Sequence, residues 1–174
     1  MSKDEQIFSR FAQAAEFHGH QCPGLAIGVR AAAEGLRLLE IPDIQDKNLY
    51  CVAESMACYI DGIQAIAGCT FGKGNLIYRP TGKCAFNFYH TESVRSVRLL
   101  WKNTAFAGDK NARIAHILTA PLEDIFAVGN PRAQLPARQV HTPELLCSLC
   151  GEAAEEHMMR IKDGKPVCLD CAEH

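Results

Sequence analysis

Four cysteines near the end of the chain stand in two C-x2-C pairs, Cys147-Ser-Leu-Cys150 and Cys168-Leu-Asp-Cys171, with seventeen residues between them. Each pair folds naturally into a tight turn that aims two sulfurs at one point. Two such turns at this separation supply the four thiolates of a tetrahedral zinc ion, at about 2.3 Å each. Unpaired core thiols or a redox dithiol explain the doubled pairing less well. With all four positions filled by protein, the ion is structural and has no open site for chemistry. His157 and His174 lie nearby, but a four-thiolate site needs neither.

Elements around these pairs support that reading. Gly151 lets the backbone turn under the metal, and Asp163-Gly164 between His157–Ile161 and Pro166–Cys168 is a hairpin signal. A short helix then follows the second pair. Knuckle, hairpin and helix together resemble a treble-clef zinc finger. About thirty residues bury little apolar surface, so metal binding supplies most of the folding free energy. Arg160, Lys162 and Lys165 give the hairpin a modest positive face, read as solvated surface in preference to a nucleic-acid contact.

A second cluster lies in the body. His18-Gly-His20-Gln-Cys22-Pro-Gly places two imidazoles and a thiol within five residues, between two helical patterns. Imidazole and thiolate are the favoured ligands of zinc and suit other late transition metals. Cys22 precedes a helix start, where the helix dipole stabilises a thiolate. Further on, Cys58 and Asp61 share a helix face at i, i+3, just after an apolar strand. Glu54 is the expected acceptor behind the site for a histidine N–H. A helix cap, a solvated histidine and a core thiol remain the plain alternative for the first motif.

The elements that must position these groups read as follows. Residues 3–17 carry Ile7, Phe8, Phe11, Ala14 and Ala15 on one helical face. A second helix spans 24–39, and its Ala26, Gly28, Ala31, Ala32 and Gly35 anticipate a close neighbour. A strand is expected over 49–54, a helix over 57–67, strands over 75–78 and 84–88, and a helix over 111–118. Thr91 as N-cap predicts a further helix to about Lys102. The proline-bearing stretch Gly129–Pro143 is the expected linker, giving a core over 1–140 and a zinc finger over 141–174. Strands interleaved with helices give an α+β class with a mixed sheet flanked by helices.

Composition narrows the function. The chain has 174 residues, 48% of them hydrophobic, with formal charge -2, so no global basic field favours nucleic acid. No apolar run is long enough for a membrane span, and MSKDEQIFSRF lacks the apolar stretch of a signal peptide. A cytoplasmic, reducing setting is expected, in which nine cysteines serve as ligands, reactive thiols or core thiols. Cys51, Cys69 and Cys84 read as core thiols, His90 and His116 as structural. Phe71-Gly-Lys-Gly-Asn is a turn in which Lys73 could meet an anionic substrate; it is not a phosphate-binding P-loop.

HGHQCPG, AESMACYIDGIQAIAGCTFGKGN and KCAFNF together resemble the E-subunit family of formylmethanofuran dehydrogenase over most of residues 10–105. The resemblance implies a thioredoxin-like α+β core, a homodimer, and a metal-binding site in the core. It also implies company with molybdenum or tungsten dehydrogenase subunits, and many members carry a treble-clef finger after the core. Site residues carried over are His18, His20, Cys22, Cys58 and Asp61. The preferred ligand set is His20, Cys22 and Cys58, with His18 as competitor, holding a second transition metal, zinc foremost. Three ligands would leave a position for water, whose proton Asp61 or His18 could take. No substrate is indicated. A thiol-redox protein using Cys22 and Cys58, and a partner-recruiting finger, are the competing classes.

Overall fold

The structure is a computed structural model that describes residues 2–42, 46–103, 105–136 and 142–174. It forms two compact units that divide after Pro136. The expected boundary at 140/141 lies outside the described residues. The segment expected to be all linker is not: its first residue closes a strand, and Ala133 accepts a hydrogen bond from the Tyr89 hydroxyl at 2.7 Å.

The first unit begins with α1 (Lys3–His18), opened by a reciprocal cap in which Ser2 Oγ accepts from the Glu5 amide and Glu5 from the Ser2 amide. Gly19 ends it at φ +89°, a left-handed conformation that a side chain would strain. α2 (Pro23–Leu38) follows, then β1 (Leu49–Ala53), α3 (Tyr59–Ala67), β2 (Leu76–Tyr78), β3 (Ala85–His90) and β4 (Arg95–Trp101). α4 (Lys110–Thr119), the single turn α5 (Leu122–Ile125) and β5 (Phe126–Gly129) complete it. The five strands form one mixed sheet in the order β2-β1-β3-β4-β5, parallel only between β1 and β2, which α3 connects. This agrees with the α+β class, a mixed sheet flanked by helices.

One expected element is wrong. The stretch read as a helix from Thr91 to Lys102 is the β3–β4 turn followed by β4. Its apolar residues Val97, Leu99 and Trp101 recur every second position, and Val97 and Leu99 face Phe88 and Phe86 across the strand pair. Paired strand positions, not a helical stripe, bury them.

The sheet has one apolar face and one polar face. Cys51, Phe88 and Val97 lie in register on the first, as do Ala53, Phe86 and Leu99. α2 and α3 cover it: the Tyr59 ring meets Phe86 edge-on at 5.3 Å, and Gly35 lies against the Phe88 ring. α2 and α3 themselves touch backbone to backbone. A Cβ added to Gly28 would lie 2.0 Å from the Tyr59 carbonyl oxygen, and one on Gly62 2.6 Å from the Val29 amide nitrogen. The small residues of α2 thus have the close neighbour they anticipated.

On the other face Glu54, only 6% exposed, accepts from Arg98 Nε at 2.7 Å, Asn87 Nδ2 at 3.1 Å and Thr81 Oγ1 at 2.7 Å. Glu54 is therefore not the acceptor for a site histidine; it starts the polar face, where it neutralises a buried arginine. Burial alone would raise its carboxyl, but the bonds from Arg98, Thr81 and Asn87 outweigh it and lower the pKa to about 2.

The second unit is built of short pieces: β6 (Glu144–Leu146) with β7 (Ala153–Glu155), a 3-10 turn (Glu156–Met158), β8 (Arg160–Lys162) with β9 (Lys165–Val167), and α6 (Leu169–Glu173). Asp163 and Gly164 both take positive φ, +52° and +74°, as the tight hairpin turn there demands. Its apolar core is Cys147, Met159 and Val167.

Gly28→Ala is expected to destabilise the core by about 3 kcal/mol or more, because backbone cannot yield to the added methyl. Thermal unfolding measures it, beside Gly72→Ala, whose site is open. Glu54 has a depressed folded pKa, so its contribution is full above about 4.5 and fades as pH falls towards about 2. Glu54→Gln should cost about 3–5 kcal/mol at neutral pH by stranding Arg98, and should flatten acid destabilisation in that window. Denaturant titrations at several pH values test both parts.

Candidate metal centres

The turn between α1 and α2 carries the first site. Gly19 stops α1 directly after His18, and Pro23 starts α2 with its fixed φ, so residues 18–22 must reverse the chain in a few steps. Cys22 is the N-cap of α2, its sulfur accepting from the Leu25 amide at 3.3 Å. That bond and the helix N-terminus both favour thiolate. Cys58 caps α3, and Gly24 lies between the two thiols: a Cβ there would come within 3.1 Å of Cys58 Cβ and 3.9 Å of Cys22 Sγ. Burial first, then Cys22, push the Cys58 thiol above its ordinary value.

The structure brings together four donors. One ligand atom from each of His18, His20, Cys22 and Cys58 lies within 4.8 Å of every other. His18 Nε2 is 3.9 Å from Cys22 Sγ, and the two imidazole centroids are 4.4 Å apart. His18, Cys22 and Cys58 are half-buried, whereas His20 is exposed. Asp61 stands behind this set: its Oδ2 takes His18 Nδ1 at 2.6 Å, and its Oδ1 accepts from Gln64 Nε2 at 3.3 Å. That pairing puts the proton on Nδ1 and leaves the Nε2 lone pair for a ligand role. The orienting carboxylate that sequence reasoning placed at Glu54 is Asp61. The i, i+3 spacing of Asp61 and Gln64 on α3 is the only sequence signal for that arrangement.

Other candidates are not in the cluster. Lys73 Nζ donates to the Gly68 carbonyl at 3.0 Å, within its own turn. Cys51 and Cys69 are fully buried, and burial drives Cys69, like half-buried Cys84, to about 12. His90 bridges Ser93 and Asp46, and His116 stacks on Phe106.

The tail carries the second site. Cys147, Cys150, Cys168 and Cys171 offer four sulfurs within 4.8 Å of one another, and neither His157 nor His174 is among them. Cys150 and Cys168 sulfurs are 3.8 Å apart, and the Cys168 amide donates to Cys147 Sγ at 3.3 Å. Backbone N–H groups of Cys150 and Cys168 hold the Cys147 thiol down to about 6. The hairpin turns thus supply both the sulfurs and the amides that steady their charge.

Comparison with known proteins agrees with this division. The family model described as FmdE, molybdenum formylmethanofuran dehydrogenase operon, matches residues 17–127, and the prokaryotic dksA/traR C4-type zinc finger matches residues 142–173. A protein of Archaeoglobus fulgidus described as a probable S-adenosyl-L-methionine-binding protein is 33% identical over 91 residues. That match covers 50% of this chain but only 25% of the relative, so most of the relative lies outside it. The crystal structure of an FmdE-like protein of tungsten formylmethanofuran dehydrogenase from Syntrophus aciditrophicus superposes with a TM-score of 0.69. It covers 95% of this chain and 91% of that one at 23% identity, a likeness of fold. With a mixed sheet carrying the HGHQCPG turn and a four-cysteine module after it, the chain belongs to the FmdE family, with a C4-type zinc finger at its end.

Proposed function

We propose that the core of this protein is a metal site built from His18, Cys22 and Cys58, with His20 as an outer, exchangeable ligand. The observation that supports it most is the Asp61–His18 contact at 2.6 Å, because a carboxylate behind a ligating imidazole is the usual partner of a metal-bound histidine. Two imidazoles and two thiols fit zinc, or another late transition ion, by ligand chemistry. Such an ion, when bound, supplies Lewis acidity and lowers the pKa of a coordinated water. The protein's own part is to fix the His18 tautomer through Asp61 and to hold Asp61 through Gln64. It also keeps two thiols facing each other across Gly24. His20, being exposed, is the donor that can withdraw to admit a small molecule. This changes the order of preference among the imidazoles, making His18 the anchored one.

The finger we read as a treble clef holding one structural zinc. In a homodimer accessory to a molybdenum or tungsten dehydrogenase, the core site would handle metal or a small substrate. Cross-linking in dilute solution checks the dimer. Co-purification of dehydrogenase subunits with the tagged chain from its own host checks the partnership, and their absence would remove that part of the reading. A thiol-redox role is the second reading, favoured by the closeness of the Cys22 and Cys58 sulfurs.

Elemental analysis of the full chain purified without added metal is expected to give two ions per chain. Cys58→Ser should remove one and Cys150→Ser the other. One ion only, unaffected by Cys58→Ser, with Cys22 and Cys58 thiols freed by reductant and indifferent to chelator, would establish the redox reading instead. Asp61→Asn is expected to keep the fold and weaken the core metal about 10–100-fold in a competitive chelator titration, leaving the finger zinc unchanged. An unaltered core affinity would contradict the positioning role.

A further inference from the structure

Away from both cysteine clusters, a cleft of about 660 Å³ opens between the first turns of α1, the outer face of α2 and the end of α4. Lys3, Arg10, Arg30 and Arg37 border it, against two carboxylates, Asp4 and Glu34. The local excess is two positive charges, in a chain whose formal charge is -2.

These cations are not equivalent. The Arg30 guanidinium is anchored, donating to the carbonyls of Leu118 and Ala120, with Nε 3.2 Å from Glu34 Oε1. Glu34 is shared, since Arg37 Nε also donates to it at 2.6 Å. One carboxylate therefore serves two guanidiniums, and the outer nitrogens of Arg37 remain available. Arg10 is half-buried and Lys3 exposed, and neither has a hydrogen bond or ion pair among the described residues. A partly desolvated guanidinium without a counter-charge is costly to hold, and an anion at the cleft would offset that cost. Below lie Ile7, Leu36, Ile41 and Leu118, which are mostly buried already, so charge more than apolar area would carry the affinity.

We propose that this cleft binds a small organic phosphate, its phosphate taken by Arg10 and Arg37 and its body lying over the α1–α2 floor. A phosphate monoester carries about -1.5 to -2 charges at neutral pH, which matches the local excess. Planar guanidinium forks suit its oxygens. The volume falls within the usual range of about 300–1,000 Å³ for small-molecule sites and exceeds what bare phosphate would fill. The inference is independent of the metal site.

Isothermal titration calorimetry of the full, metal-loaded chain at low ionic strength tests it, with adenosine monophosphate and adenosine as probes. Adenosine monophosphate is expected to bind at least about tenfold more tightly than adenosine. Arg10→Gln and Arg37→Gln should each weaken it by about tenfold, while melting temperature and metal content stay unchanged. Added salt should weaken it further. Equal affinity for the two probes, no saturable binding of adenosine monophosphate, or unchanged affinity in both variants would overturn the proposal. Because metal content is read in the same samples, failure here leaves the core-site reading standing, and the reverse.

Discussion

The contact that the core site depends on is the backbone-to-backbone crossing of α2 and α3. At Gly28 and Gly62 the two helices approach so closely that no Cβ fits between them. Helices usually keep about 8–10 Å between axes because side chains intervene. Here, near their N-terminal ends, glycine removes them. Those ends carry Cys22 and Cys58, and the crossing is what converts two caps distant in sequence into facing thiols. The same crossing sets Asp61, one turn into α3, behind His18 on the far side of the α1–α2 turn. A wider crossing would keep every ligand and lose their convergence.

The sheet beneath that crossing serves it through its asymmetry. One face presents Phe86, Phe88 and Leu99 to α2 and α3, and dispersion and burial hold the helices at a defined height. The opposite face neutralises Glu54 with Arg98 and fills the remaining acceptor positions from Asn87 and Thr81. A buried pair of this kind gives little net stability against an apolar replacement, yet is expensive to break from one side. It ties β1, β3, β4 and the β2–β3 loop together by a directional bond network. Registry, more than strength, is what such a network contributes.

The two cysteine clusters differ by the same physics. The tail has too little apolar surface to fold around, with only Cys147, Met159 and Val167 buried, so its sulfurs are the core. Its donors are four alike and its amides point at sulfur, an arrangement that holds charge still. The body cluster sits on a scaffold that is stable for other reasons. There one imidazole is held by a carboxylate and the other is exposed, so the donors are unequal. Unequal donors on a rigid base are what exchangeable coordination requires.

Much of this was legible in the chain. Spacing alone determined the tail: two C-x2-C pairs, a Gly after the first and Asp-Gly between them act over a few residues each, so local geometry suffices. The same holds for the ends of α1 and α2, where Gly19 and Pro23 dictate the turn, and for the small residues that foretold a close helix. What lay beyond sequence was every choice made by a partner distant along the chain. Residues 91–102 have apolar positions compatible with either period, and only pairing with β3 selects a strand. Glu54 and Asp61 are both carboxylates near Cys58, and strand alternation sends one to the polar face while α3 turns the other towards His18. The sequence determined which atoms can bind a metal. Tertiary structure decided which of them meet, because convergence depends on a helix crossing that no local pattern encodes.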